Sequence, residues 1–312
     1  MIYLELNGRT GNQLFRYAFA RRLQMLFDEE LVIRYCRAED EDDSFYYALE
    51  DYQITDVKIE NTERELFSRH ACFLQKIARR LFRLTYKREK DTLAEFWRRQ
   101  EKWQPVISRF GIYKLSRGYT EPVFTIFRDK FLDSAFEDKR YFDSIRSVLL
   151  EEFQPKFPRK ERNAELYRII DSREAVCVSV RRGDYTNEKN NASRNVCTLR
   201  YYRDAVELMK AKVNNPVFVF FSDDMNWVRE NMQYEGIEAY YETGEDEVWE
   251  KLRLMYSCKH FILSNSTFAW WAWYLSRNEQ KVAISPKIWF KGEKYRDYQH
   301  SLIDDSWILL DV

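Results

Sequence analysis

The chain has 312 residues, of which 45% are hydrophobic and 17% aromatic, which gives ample material for packed cores and excludes a disordered chain. Its 51 basic and 51 acidic residues balance, which argues against a dedicated nucleic-acid binder. The length lies between one large domain and two ordinary ones and favours two.

An apolar run from Ile2 to Leu6 opens the chain, followed by the loop Asn7-Gly8-Arg9-Thr10-Gly11-Asn12-Gln13. Leu14, Phe15, Ala18, Phe19, Leu23 and Leu26 then recur at helical spacing, and Leu31 to Tyr35 reads as a second strand. Strand, glycine loop, helix and strand in that order start a doubly wound domain. The opening MIYLELNG holds neither a basic stretch nor a long apolar run, so neither a signal peptide nor an anchor helix is expected. Cys36, Cys72, Cys177, Cys197 and Cys258 are widely spaced and form no C-x-x-C pair, which fits a reducing compartment and a cytoplasmic protein. His70, His260 and His300 fall at no metal-ligand spacing, so no zinc site is expected.

Between residues 37 and 160 the alternation of strand and helix is not legible. This stretch holds an acidic tract at Glu39 to Asp43 and a basic, aromatic segment from Lys76 to Arg117 with thirteen Lys/Arg against four Asp/Glu. Two readings of that segment stay open: a surface resting on the anionic inner leaflet, or aromatics packed inward beneath a solvated basic face. The stretch Phe153-Gln154-Pro155-Lys156-Phe157-Pro158-Arg159-Lys160-Glu161-Arg162, with two prolines and many charges, disfavours regular structure and marks a linker, and the chain is divided into domains 1–158 and 159–312.

The second half is regular. Strands are expected over Ala175–Val180, Val217–Phe221, Ile237–Tyr241, His260–Leu263 and Val282–Ile284. Helices are expected over Leu199–Val213, near Met225–Met232, over Glu247–Tyr256 and over Phe268–Leu275. Continuous apolar strands such as Val217-Phe218-Val219-Phe220-Phe221 are those of a parallel sheet covered on both faces, so this half reads as a Rossmann-like α/β domain.

Ligands of such sheets bind beyond the carboxyl ends of the strands, so the loops that follow them carry the chemistry. After the strand ending at Val180 come Arg181-Arg182-Gly183-Asp184-Tyr185, whose guanidiniums can clamp a diphosphate or can close an ordinary Arg–Asp salt bridge. After Phe221 come Ser222-Asp223-Asp224, carboxylates suited to a guanine edge or a ribose and equally to a helix cap. After Leu263 come Ser264-Asn265-Ser266-Thr267-Phe268 at the head of an aromatic helix, whose amides and dipole can hold a phosphate. The amino-terminal loop spells neither G-x-G-x-x-G nor G-x-x-x-x-G-K-[ST], and no G-x-S-x-G occurs, so dehydrogenase, P-loop and α/β-hydrolase chemistry lose their main support.

Taken together these loops resemble the α-1,2-fucosyltransferase family and its wider fucosyltransferase superfamily. The resemblance rests on Gly11-Asn12-Gln13-Leu14-Phe15-Arg16-Tyr17-Ala18-Phe19-Ala20, on Arg181-Arg182-Gly183-Asp184-Tyr185, on Ser-Asp-Asp and on Ser-Asn-Ser-Thr-Phe-x-Trp-Trp, in the family's order. It covers the first ~35 residues and roughly 175–290, and implies the two-Rossmann-domain architecture called GT-B, with the donor in the cleft on the carboxyl-terminal domain. It further implies that Arg181 holds the donor β-phosphate with help from Arg182, and that Ser266, Thr267 and Phe268 flank the diphosphate. Asp223 or Asp224 would read guanine, and the loop Gly11, Asn12, Gln13 would face fucose and acceptor. One departure stands out: the family's H-x-R-R-x-D motif has Ser179 here in place of histidine.

The activity so implied is inverting transfer of L-fucose from GDP-fucose to a hydroxyl of a glycan acceptor, the 2-OH of a galactoside, with no cofactor. Fixed arginines stabilising the leaving diphosphate account for catalysis without a metal. Asp184 is the first choice for the base and Glu188 the second, with late proton loss as the third route. The basic segment adds a lipid-linked acceptor and a peripheral membrane contact to the expectations; nucleic acid is not among the partners. Two rivals remain: a transferase of the same fold with another nucleotide sugar or linkage, and a catalytically silent sugar- or nucleotide-binding protein.

Overall fold

The computed structural model describes residues 1–35, 45–85, 92–114, 118–123, 125–292, 295 and 301–312. Cys36, the acidic tract at 39–43, His300, parts of the basic segment (86–91 and 115–117) and the side chain of Glu188 lie outside the described residues. Contacts divide the chain into two compact units, Met1–Gln154 and Pro155–Val312.

In the first unit the elements are β1 (Ile2–Leu6), α1 (Thr10–Phe27), β2 (Leu31–Tyr35), β3 (Lys58–Ile59), α2 (Leu66–His70), α3 (Phe73–Phe82), α4 (Leu93–Ser108), β4 (Ile112–Tyr113), β5 (Lys130–Leu132) and α5 (Arg146–Glu152). The strands form one parallel sheet in the order β3-β2-β1-β5-β4, with Tyr3 opposite Val32 on one side and Phe131 on the other. Apart from Glu5, β1 is apolar on both faces because both are covered. Leu14, Phe15, Ala18, Phe19 and Leu23 of α1 are wholly buried, while Tyr3, Val32 and Phe131 pack with Leu66 and Phe67 of α2, Phe82 of α3 and Ile107 of α4.

The second unit holds α6 (Ala164–Ser172), β6 (Glu174–Val180), α7 (Glu188–Arg194), α8 (Leu199–Lys212), β7 (Pro216–Ser222), α9 (Met225–Asn231), β8 (Glu238–Tyr241), α10 (Val248–Ser257), β9 (His260–Ile262), α11 (Thr267–Leu275), β10 (Ala283–Pro286) and β11 (Ile308–Leu310). All six strands are parallel, ordered β8-β7-β6-β9-β10-β11. Chain order therefore runs outward from β6 in one direction and from β9 in the other, so a topological switch point lies between them. Val217 to Phe221 are buried on both faces, as a strand central to a doubly wound sheet requires. Thr198, Asp224 and Ser266 cap α8, α9 and α11 through their side chains. Each unit is thus a parallel α/β fold, as the sequence leads one to expect.

Prolines and charges around residue 155 do keep the chain irregular, but it is tied down. Arg253 of α10 donates to the carbonyls of Phe157 and Pro158, both at 2.6 Å, and Glu250 accepts from the Lys160 amide at 3.0 Å. His70 and His260 are engaged with Glu60 and Glu174 at 3.2 and 3.0 Å. Among the described residues no helix is long and apolar enough to cross a membrane.

Candidate active site

The switch point opens between the ends of β6 and β9, and the two loops that leave it are bonded to each other. Ser179 and Ser264 share a hydroxyl contact of 3.2 Å beneath the loops, and the Tyr202 hydroxyl donates to the Ser179 carbonyl at 3.1 Å. Above them the Tyr185 hydroxyl donates to the Asn265 carbonyl at 3.0 Å. Asn265 is buried and its side-chain amide donates to the carbonyls of Arg194 and Trp289, both at 2.9 Å. These bonds fix the loop before α11, so the first amides of that helix have a defined direction. The serine that replaces the motif's histidine is buried in this bracing, so its hydroxyl faces Ser264.

Arg181 leaves the end of β6 and is gripped from two sides. Its Nη1 lies 2.7 Å from Asp223 Oδ2, and its Nη2 donates to Asp184 Oδ1. Burial opposes the charge on Arg181, but Asp223 and Asp184 outweigh it and raise its pKa above the ordinary value. These pairs use only part of a guanidinium that carries five N–H donors. Arg182 turns the other way: its amide donates to Asp223 Oδ1 at 2.9 Å, its Nε to Asp224 Oδ2 at 3.2 Å, and its guanidinium lies 3.6 Å from the centre of the Trp227 ring. Asp224 also accepts from the Trp227 amide at 3.2 Å, so one carboxylate caps α9 and holds Arg182.

Gly183 has a specific reason to be glycine. A Cβ there would stand 2.4 Å from Asp223 Oδ2, inside contact distance, so a larger residue would displace the carboxylate that braces Arg181. Thus Arg181, Arg182, Asp184, Asp223 and Asp224 come together in one ion-pair cluster, and the loop through Tyr185 and Asn265 sets Ser266, Thr267 and Phe268 beside it. The salt bridge between Arg181 and Asp184 and the helix cap by Asp224 are both formed. Among the described residues no group of His, Cys, Asp or Glu is arranged to hold a metal ion.

Gly11, Asn12 and Gln13 belong to the first unit. Gln13 turns into the loop: its amide donates to the carbonyls of Gly8 and Tyr46, both at 2.7 Å, and accepts from the Ala48 amide at 3.0 Å. It is fully buried and holds the loop shape. Gly8 has φ +80°, and a Cβ there would press on the Asn12 side chain at 3.1 Å, so the tight turn is what seats Asn12.

Sequence reasoning missed a cavity of about 210 Å³ at the carboxyl edge of the first sheet, beside β1 and β5. Tyr3, Phe67 and Phe131 are among its apolar lining, and three ion pairs edge it: Arg34 with Glu5 at 2.7 Å, Arg79 with Glu65 at 2.8 Å, and Lys114 with Asp133. Burial would raise the Asp133 carboxyl, but Lys114, Arg16 and Arg79 hold it below the ordinary value, so it stays charged. The residues come from segments far apart in the chain, and only the alternation of Tyr3, Glu5 and Asn7 on one side of β1 hinted at a polar edge. Likewise, nothing in the sequence pointed to Trp227 beneath Arg182.

Comparison with known proteins locates this site in a family. The family model described as "Glycosyl transferase family 11" matches residues 110–311, which include all of the switch-point loops. The O-antigen biosynthesis glycosyltransferase WbnK of Escherichia coli is 27% identical over 331 aligned positions, covering 99% of this chain and 100% of that one. An alpha-1,2-colitosyltransferase of Escherichia coli is 30% identical over 185 positions, 56% of this chain and 61% of the relative. The galactoside alpha-(1,2)-fucosyltransferase 1 of Leontopithecus chrysomelas is 32% identical over 146 positions, 44% of this chain and 40% of the relative.

Proposed function

The chain belongs to glycosyl transferase family 11 and is a glycosyltransferase, and from that premise we propose that it moves L-fucose from GDP-fucose to the 2-OH of a galactoside in a glycan acceptor, with inversion and without a metal. The observation that carries this reading is Arg181, held between Asp184 and Asp223 at the switch point beside the head of α11. The acceptor oxygen attacks the anomeric carbon, the bond to the diphosphate breaks, and GDP departs with the electron pair through an oxocarbenium-like transition state. Arg181 and the first amides of α11 meet the charge that builds on the diphosphate, with Arg182, Ser266, Thr267 and Phe268 around it. A guanidinium already fixed by two carboxylates needs little reorganisation when that charge appears, which supports catalysis without magnesium.

Asp223 and Asp224 remain the groups for guanine or ribose, through the second lone pairs of carboxylate oxygens that already hold the arginines and the head of α9. Ser179 contributes to this through Ser264, not by direct contact. Asp184 supports the site by orienting Arg181; to act as the base it would have to give up that guanidinium, so late proton loss becomes the simpler route. We assign the acceptor sugar to the first unit, at Asn12 and the cavity edged by Glu5, Lys114 and Asp133. That cavity is below the ~300–1,000 Å³ of pockets for drug-sized ligands and suits a single sugar ring. Its aromatic wall and balanced ion pairs suit a neutral pyranose, carried by a lipid-linked glycan.

A colitosyl donor is the second reading, favoured by the colitosyltransferase among the relatives. Incubation with GDP-fucose, GDP-colitose and other nucleotide sugars against a set of β-galactosides, read by mass spectrometry, tests both. Addition of one deoxyhexose from GDP-fucose is expected; transfer only from a donor outside the guanosine diphosphate class would overturn the proposal.

A further inference from the structure

The outer face of α3 is not that of a solvated helix. Phe73, Leu74, Ile77, Leu81 and Leu84, the last in the helical turn that follows, are all exposed, with Phe73 and Leu84 each at 75% and Leu81 at 59%. At 100° per residue these five fall in a sector about 100° wide. The side that packs on the first unit is a separate row of Gln75, Ala78 and Phe82. The apolar stripe is therefore turned away from the core that the same helix helps to build.

Lys76, Arg80 and Arg83 are exposed along one flank of the stripe. Arg79 is not among them, since it pairs with Glu65 at 2.8 Å and lies over the Phe67 ring. α4, which packs on α3, exposes Trp103 and Val106 together with Arg98 and Lys102, and Arg109, which follows it, is exposed as well. The segment 76–117 carries a net charge of +9, thirteen basic less four acidic residues, in a chain whose total is zero.

We propose that the outer face of α3, with the exposed residues of α4, docks on an anionic lipid surface. A basic row would suffice for a polyanion such as nucleic acid, and an apolar stripe alone would suit a protein partner. Leucines and a phenylalanine that enter the acyl boundary, with cations at their flank that meet lipid phosphates, match an interface with both properties. Such docking would hold the first unit at the membrane, where a lipid-linked acceptor lies. The surface argument itself rests on no assumption about donor or linkage.

Vesicle sedimentation of the full chain tests it, with phosphatidylglycerol-containing vesicles against pure phosphatidylcholine. Binding to the anionic vesicles is expected to fall about tenfold or more when salt rises from about 0.05 M to about 0.5 M, as screening shortens the reach of the cations. Arg80→Glu with Arg83→Glu should weaken it comparably. Leu81→Asp with Leu84→Asp, which leaves every cation in place, should weaken it again. All four positions are exposed, so melting temperatures should stay near that of the parent chain. Three outcomes overturn the proposal: no binding at low salt, full binding by the leucine variant, or a parent chain that sediments as a dimer which the leucine variant converts to monomer.

Discussion

At the carboxyl edge of the second sheet Arg181 is held by two carboxylates with part of its guanidinium left over, whereas at the edge of the first sheet Arg34 is spent on the fold. Arg34 donates to the carbonyls of Thr62 and Glu63 and to Glu5, each at 2.7 Å. Arg34 is the last residue but one of β2 and Arg181 follows β6, both are paired with acids, and both are largely covered. What separates them is the partner set. Two main-chain carbonyls in a cation's shell mark a brace between segments, while carboxylates on two loops at a switch point mark a cation positioned for something else.

Arg181→Ala should sharpen that contrast most: turnover of the folded protein is expected to fall more than ~100-fold, by analogy with loss of a preorganised oxyanion donor, well beyond the lower melting temperature that leaving Asp184 and Asp223 without their cation brings. Arg181→Lys should do nearly as much damage, because an ammonium cannot reproduce a planar two-point grip. Steady-state kinetics beside thermal unfolding would show it; near-normal transfer by a folded Arg181→Ala protein would break the comparison. Arg34→Met should behave in the opposite way. It strands Glu5 in a partly buried site and is expected to cost about 3 kcal/mol of stability, read by urea unfolding, with any kinetic change in the folded fraction falling on KM for the acceptor, whose proposed cavity the Arg34–Glu5 pair edges.

Gly183→Ala comes next. Its methyl group would force Asp223 aside and loosen Arg181, which should reduce kcat/KM about tenfold, equivalent to about 1.4 kcal/mol. If the effect runs through Asp223, adding Gly183→Ala to Asp223→Ala should cost little more than Asp223→Ala alone, as a double-mutant cycle would measure. The smallest expected effect is that of chelation. EDTA should leave initial rates within about twofold, because the charge on the leaving diphosphate is met by fixed cations. Loss of activity to EDTA, with recovery on adding Mg²⁺ or Mn²⁺, would count against that account.

How much of this was legible in the sequence follows the same division. In the second unit long apolar strands alternate with capped helices, so β6, β7, α8 and α11 are marked to within a residue or two, and the loops between them could be read as a site. β11 was missed because Ile308–Leu310 is three residues long with half-exposed side chains. In the first unit β3, β4 and β5 are two or three residues each, too short for any period to show, although β5 lies beside β1 in the centre of the sheet. The cavity edge was illegible for the same reason. The inward turn of Gln13 was not legible, because a motif glutamine near a glycine loop gives no sign of whether its amide turns outward or locks the turn. The exposed stripe of α3 shows the converse limit: amphipathic spacing was visible, but the side that faces inward depended on where Gln75 and Phe82 could be buried.

The configuration of the product is the most direct test of the proposed transfer. GDP-β-L-fucose labelled with ¹³C in the sugar, a β-galactoside acceptor, EDTA and the full chain would be followed by NMR. Inversion predicts an α-linked fucose on O2 of the galactose, formed by the parent chain and not by Arg181→Lys. A β-linked product, or no transfer from this donor while another nucleotide sugar is consumed, would contradict it.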